Sequence, residues 1–120
     1  MPMIKTLVRN GDFRRAYACG KSLAHPALVT YAAKNRAGKC RYGITASKKI
    51  GNAVERNRSR RVISEALRTL NEPTCGNWDL VFVARGKTKH TKSTQIQHIM
   101  RGHLRKLGVL QSEPAQKDKP

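Results

Sequence analysis

The sequence predicts an α+β fold, with one small sheet of about four strands packed against three helices in the order α-β-β-β-α-β-α. Three observations carry this expectation. Residues 52–70 and 91–107 repeat their apolar positions every three or four residues, as amphipathic helices do. Residues 78–84, Trp-Asp-Leu-Val-Phe-Val-Ala, form a β-branched and aromatic run that suits a buried central strand. The 120 residues suffice for one core and no more, so residues 1–110 are expected to form a single domain.

Taken in order, residues 1–10 read as a loose basic arm. Asp12 can cap or lead a short helix at residues 13–19, on which Phe13, Ala16 and Tyr17 share a face, and Gly20 stops it. A brief extended piece at Ser22 and Leu23 precedes the break at His25-Pro26. Residues 27–33 follow as a strand with Val29, Tyr31 and Ala33 on one side. A polar turn at 34–39 leads to a second strand, 40–46, with Tyr42, Ile44 and Ala46 on one side, and the two are expected to pair as a hairpin. A loop, Ser47-Lys-Lys-Ile-Gly-Asn52, opens the long helix at 52–70, and Pro73, Gly76 and Asn77 mark the turn after it. The strand at 78–84 is followed by a second basic loop, Arg85-Gly-Lys-Thr-Lys-His90. In the last helix Ile96, Ile99, Met100, His103, Leu104 and Leu107 recur at helical spacing, and Gly108 closes it. Residues 111–120 lack apolar periodicity and read as a disordered tail.

Charge narrows the class of partner. Lys and Arg number 25 against 7 Asp and Glu, a formal charge of +18, and hydrophobic residues make up 38% of the chain. A solvated surface normally mixes its lysines and arginines with acids, which are scarce here. A compact body so charged repels itself, and a polyanion relieves that cost while adding contacts, so nucleic acid is the expected partner. No apolar run approaches the ~20 residues of a membrane helix, and the first residues lack the apolar stretch of a signal peptide, so the cytoplasm is the expected compartment. Cys19, Cys40 and Cys75 are odd in number and outside any CxxC spacing, which fits reduced thiols. His25, His90, His98 and His103 also lack metal-ligand spacing.

The long helix holds the densest charge. Advancing ~100° per residue gathers Ser59, Val62, Ile63, Ala66, Leu67 and Leu70 on one side, which must bury against the sheet. Asn57, Arg61, Ser64 and Arg68 form a stripe opposite, flanked by Arg58 and Arg60, with Arg56 near the apolar edge. Like charges four apart, such as Arg56 and Arg60, cost a helix a few tenths of a kcal/mol. A purely structural helix gains nothing from them, whereas a guanidinium fork grips phosphate through two hydrogen bonds. Phe13, Tyr17 and Tyr31 add ring faces on which unpaired bases could stack, an arrangement suited to single-stranded RNA. For each ring alone, core packing is the competing explanation.

The run from Ser47 to Arg61, Ser-Lys-Lys-Ile-Gly-Asn-Ala-Val-Glu-Arg-Asn-Arg-Ser-Arg-Arg, continuing Val-Ile-Ser-Glu-Ala-Leu-Arg68, resembles the signature of the protein subunit of bacterial ribonuclease P. The likeness extends over the Asp-Phe-x-x-x-Tyr helix, the Tyr31 strand, the Asp-Leu-Val-Phe-Val strand and the last helix, leaving out only the termini. It implies a protein that binds a catalytic RNA, one protein to one RNA, and helps it remove the 5′ leader of precursor tRNA. Arg56, Asn57, Arg58, Arg60, Arg61 and Arg68 would face the catalytic RNA. Phe13, Tyr17, Tyr31, Lys48 and Lys49 would line the cleft that holds the leader. Ser64 departs from the pattern, standing where relatives carry arginine, and Arg68 one turn on is expected to compensate in part. The resemblance further implies a ribosomal-protein-like two-layer sandwich with a left-handed strand–helix–strand crossover between residues 40 and 84, against the usual right-handed rule.

No catalytic constellation accompanies these features. A two-metal nuclease holds its ions ~3.5–4 Å apart with clustered carboxylates, whereas Asp12, Glu55, Glu65, Glu72, Asp79, Glu113 and Asp118 are scattered along the chain. The resemblance agrees, implying that Mg2+ acts mainly with the RNA subunit. A non-enzymatic ribosomal or assembly protein, and a protein-only endonuclease, remain the rival readings.

Overall fold

The computed structural model describes residues 4–6, 10–35, 40–70 and 77–110. The elements run β1 (Ile4–Thr6), α1 (Asn10–Cys19), β2 (Lys21–His25), β3 (Leu28–Lys34), β4 (Cys40–Thr45), α2 (Ala53–Leu70), β5 (Trp78–Ala84) and α3 (Ser93–Lys106). Short 3-10 turns at Lys48–Ile50 and Thr88–His90 precede α2 and α3. The expected turns at 36–39 and 73–76 and the tail at 111–120 lie outside the described residues, as does Cys75.

β5 occupies the middle of a mixed five-stranded sheet ordered β1-β4-β5-β3-β2. Its alternate side chains serve two cores. Leu80, Phe82 and Ala84 join Leu28, Ala32, Ile63, Leu67, Ile96, Met100 and Leu104 beneath α2 and α3. Val81, on the opposite face, packs with Ala16 of α1 and Ala33, with Phe13, Tyr31 and Val83 at the margin. A strand apolar on both sides needs cover on both and pairing on both edges.

That demand overturns the expected hairpin between residues 27–33 and 40–46. β3 pairs antiparallel with β5 (Tyr31 opposite Val81), and β4 pairs parallel with β5 (Gly43 opposite Val81), so β5 inserts between them. Pairing β3 with β4 directly would have left one edge of the most apolar strand unpaired. The parallel β4–β5 pair, joined through α2, makes the passage a crossover connection. β3 instead forms its hairpin with β2, which is longer than expected, and His25 Nδ1 accepts the Ala27 N–H at the turn (3.0 Å). A second difference lies at the N-terminus. Ile4–Thr6, expected within a loose arm, adds a fifth strand parallel to β4, capping an edge that would otherwise lie open.

Both long helices end as their sequences require. Asn52 and Glu55 form a capping box at the start of α2: Glu55 N–H donates to Asn52 Oδ1 and Asn52 N–H to Glu55 Oε1, each at 2.9 Å. Gly51 enters this turn at φ +142°, where a side chain would be strained and its Cβ would strike the Glu55 carboxylate. At the far end of α3, Gly108 takes φ +85°, with Val109 N–H donating to Leu104 O (2.8 Å) and Gly108 N–H to Arg105 O (3.1 Å). This Schellman closure carries Val109 and Leu110 into the core.

Phe82 is fully buried at the centre of the larger core. Phe82→Ala is expected to cost about 3–5 kcal/mol of stability, read as a lower urea midpoint with an unchanged slope.

Candidate nucleic-acid interface

α2 buries Ser59, Ile63, Ala66, Leu67 and Leu70, the side expected from its periodicity. Asn57, Arg58, Arg60, Arg61, Ser64 and Arg68 are consequently exposed on the other side. Their electrostatic states differ. Arg58 and Arg61 have no protein partner among the described residues, and Arg60 donates only to the neutral Asn57 Oδ1 (3.1 Å). Arg68 is paired with Glu65 at 2.6 Å, and that hydrogen bond and charge hold its guanidinium pKa above the ordinary value. Both partners are exposed, so the pair is weak and open to competition by phosphate. Arg56 turns back, half-buried, to donate to Gly51 O (2.8 Å), and so braces the loop before the helix.

The opposite layer carries the aromatic residues. α1 packs over β3 and β5, bringing Phe13 and Tyr31 to the margin of the small core. Tyr17 meets Tyr31 edge-to-face with centroids 4.9 Å apart, yet remains 42% exposed. Phe13, Tyr17 and Tyr31 therefore come together as one cluster with ring surface facing solvent. Lys48 and Lys49 stand exposed on the 3-10 turn beyond β4, and no hydrogen bond or ring contact joins them to that cluster. Ile50, beside them, is buried and anchors the turn.

Between α1 and the sheet lies a network with no counterpart among the sequence-based candidates. Asp79, completely buried, accepts from Asn35 Nδ2 (2.7 Å), Arg41 Nε (2.8 Å), Arg41 Nη2 (2.9 Å) and Arg15 Nη2 (2.9 Å). Arg15 also donates to Lys34 O (2.9 Å). One carboxylate thus ties α1 to β3, β4 and β5. Burial pushes its pKa upward, but hydrogen bonds from Arg41 and Asn35, the Arg41 charge and the Arg15 hydrogen bond outweigh that, leaving it below the ordinary value. The available signal was a lone acid in an otherwise apolar strand, which has to be paired wherever that strand is buried.

Among the described residues, no group of three or more His, Cys, Asp or Glu side chains converges to hold a metal ion. Cys19 is exposed and Cys40 buried, and the two are not joined in a disulfide. No described helix is long and apolar enough to cross a membrane.

An α+β sandwich with helices on both faces of one sheet, which bares an arginine-rich helix on one side and clustered rings on the other, defines a class: small basic proteins shaped to lie against nucleic acid. The sequence matches the Ribonuclease P family over residues 1–108. The ribonuclease P protein component of Clostridioides difficile is 38% identical over 106 residues, covering 88% of this chain and 93% of that one. The solved ribonuclease P protein of Staphylococcus aureus superposes with a TM-score of 0.75 at 33% identity, covering 88% of this chain and 97% of that one. The Thermotoga maritima protein gives 0.69 at 25% identity, covering 84% and 96%. This chain belongs to the ribonuclease P protein family.

The Asp79 network predicts a graded response. Arg41→Ala removes two bonds from a guanidinium that is 22% exposed and should cost about 3 kcal/mol. Arg15→Ala, at a 41% exposed side chain, should cost about 1 kcal/mol. Because the folded carboxyl titrates below its ordinary 3.8, the unfolded chain takes up its proton first as pH falls. Stability present above that value should therefore drain away below it, and Asp79→Asn should flatten this acid limb in urea titrations run from about pH 5 to about pH 2.5.

Proposed function

We propose that this chain is the protein component of a ribonuclease P ribonucleoprotein, binding the catalytic RNA through α2 and the 5′ leader of precursor tRNA through the α1 face. The observation that carries the reading is the set Arg58, Arg60 and Arg61, exposed together with no carboxylate among the described residues to neutralise them. Guanidinium forks in that state meet phosphate without first breaking an ion pair. The half-exposed Tyr17 ring against Tyr31 provides a stacking surface for unpaired leader bases. Lys48 and Lys49, on a turn anchored at both ends, supply charge near the start of the helix.

The protein's part in cleavage is binding and charge neutralisation. Among the described residues the acids are engaged elsewhere: Asp79 within the core network, Glu55 in the helix cap and with Lys89, Glu65 with Arg68. The scissile chemistry, endonucleolytic hydrolysis that leaves the mature 5′ end, belongs to the RNA subunit. Mg2+ would act mainly with the RNA subunit, where phosphate oxygens supply its ligands. One protein acts with one RNA, in the cytoplasm.

Two experiments test this. Binding of a single-stranded leader or the catalytic RNA should weaken steeply with salt, by about 0.7 slope units per neutralised phosphate in single strands. A joint Arg58/Arg60/Arg61 alanine variant should flatten that slope by about two units; an unchanged slope contradicts the assignment. Separately, bringing two polyanions together is easier with a protein of charge +18 between them. Leader cleavage titrated against magnesium should reach half-maximum at lower magnesium with the protein than with the RNA alone, and coincident midpoints would refute this. The chain without RNA should leave precursor tRNA uncut.

A further inference from the structure

The basic loop Arg85–His90 has no role in the surfaces described so far, yet it is held rigidly. Thr88 is fully buried, its hydroxyl donating to Ala27 O (2.6 Å) and accepting the Arg85 N–H (2.8 Å). Lys89, only 14% exposed, donates to Ile50 O (2.9 Å) and Glu55 Oε2 (3.1 Å), fastening the loop to the start of α2. The same Lys89 bond helps hold the Glu55 carboxyl below its ordinary pKa, after the backbone bond from Asn52. These contacts set Lys92 and Ser93, at the beginning of α3, across from Arg58 and Arg61 of α2. Between them runs an open groove of about 470 Å³.

The charges around this groove do not cancel. Glu65 lines it but is bound to Arg68, and Lys89 is bound to Glu55. Arg58, Arg61 and Lys92 have no acidic partner among the described residues. Three like charges facing one concave space repel one another in the free protein, and an anion lying between them removes that cost. Val62 is the one apolar side chain in the lining, so the groove offers little to an acyl chain or a hydrophobic protein anchor. Guanidinium forks, an ammonium and a serine hydroxyl match the oxygens of a phosphodiester.

We infer that the RNA-binding surface of α2 continues into this groove, in which Lys92 and Ser93 on one wall and Arg58 and Arg61 on the other clasp one stretch of ribose–phosphate backbone. The inference rests on the RNA-binding reading and deepens it: the RNA lies between two elements instead of along one helix. Loop Arg85–His90 is the strut that fixes the spacing of the walls.

The test uses the whole chain and an in vitro transcript of a bacterial ribonuclease P catalytic RNA, with binding measured as a function of salt. Lys92 is exposed and makes no side-chain cap bond, so Lys92→Ala should leave the thermal midpoint unchanged. It should weaken binding and lower the salt slope by about 0.7–0.9, and Lys92→Glu should weaken it further. Lys106→Ala is the control, since that residue lies about 20 Å along α3, beyond a Debye length of about 8 Å, and should change binding less. The Arg61→Ala/Lys92→Ala pair should lose less than the product of the single losses, because both contact the same strand. If Lys92 variants bind like the wild type while Arg58→Ala binds more weakly, the groove is refuted and the α2 surface stands. Equal effects from Lys92→Ala and Lys106→Ala would also overturn it, pointing to net charge alone. If the wild type itself shows no salt-dependent binding, the RNA-binding reading fails first.

Discussion

Trp78–Ala84 is apolar on both of its faces except for Asp79, and burying both at once determines where every other element must go. The strand has to be central, so β3 and β4 flank it, and each face needs its own cover. α2 and α3 together seal one face with the larger core, while the single short helix α1 covers the other with a small one. The unequal cover has a functional consequence. The well-sealed side exports the back of α2 to solvent as a stiff cationic rod, and the lightly covered side leaves Tyr17 and Tyr31 within reach of a ligand.

Electrostatics follows from the same economy of acids. With 7 acidic residues against 25 basic ones, the placement of each carboxylate decides which cations are left for a partner. Asp79 is sequestered in the interior, where Arg15 and Arg41 satisfy it and lock α1 to the sheet. Glu55 caps α2 and holds Lys89, which fastens two basic loops together. Glu65 meets Arg68 on the surface. Arg58, Arg60 and Arg61, clustered on one helix, are among the described arginines that escape all three. A buried carboxylate costs stability unless it is fully bonded. Its four hydrogen bonds meet that condition and convert a desolvation cost into a fixed angle for the helix that borders the aromatic cluster.

Much of this was legible from residue order because it depends on periodicity and local capping. The buried side of α2, the closure of α3 at Gly108 and the strand at residues 78–84 all follow from spacings within one element. The position of Arg56 near the apolar edge also emerged from the wheel, although its bond to Gly51 O did not. Pairing partners were less accessible. The alternations in β3 and β4 say that each has a core-facing side but not which strand lies next to it, and proximity in sequence favoured a hairpin that β5 displaces. β1 has three residues, too few for any alternation to stand out from a basic arm.

By itself, then, the order of residues determined the helices, the central strand, the surplus of positive charge and the helix on which arginine concentrates, since each is set by interactions a few residues apart. Only the folded chain decided which acids neutralise which bases. Arg15, Arg41 and Asp79 are separated by up to 64 residues, and Lys89 reaches Glu55 across 34. Coulomb pairing depends on distance in space, and that distance exists only after β5 has taken its place between β3 and β4.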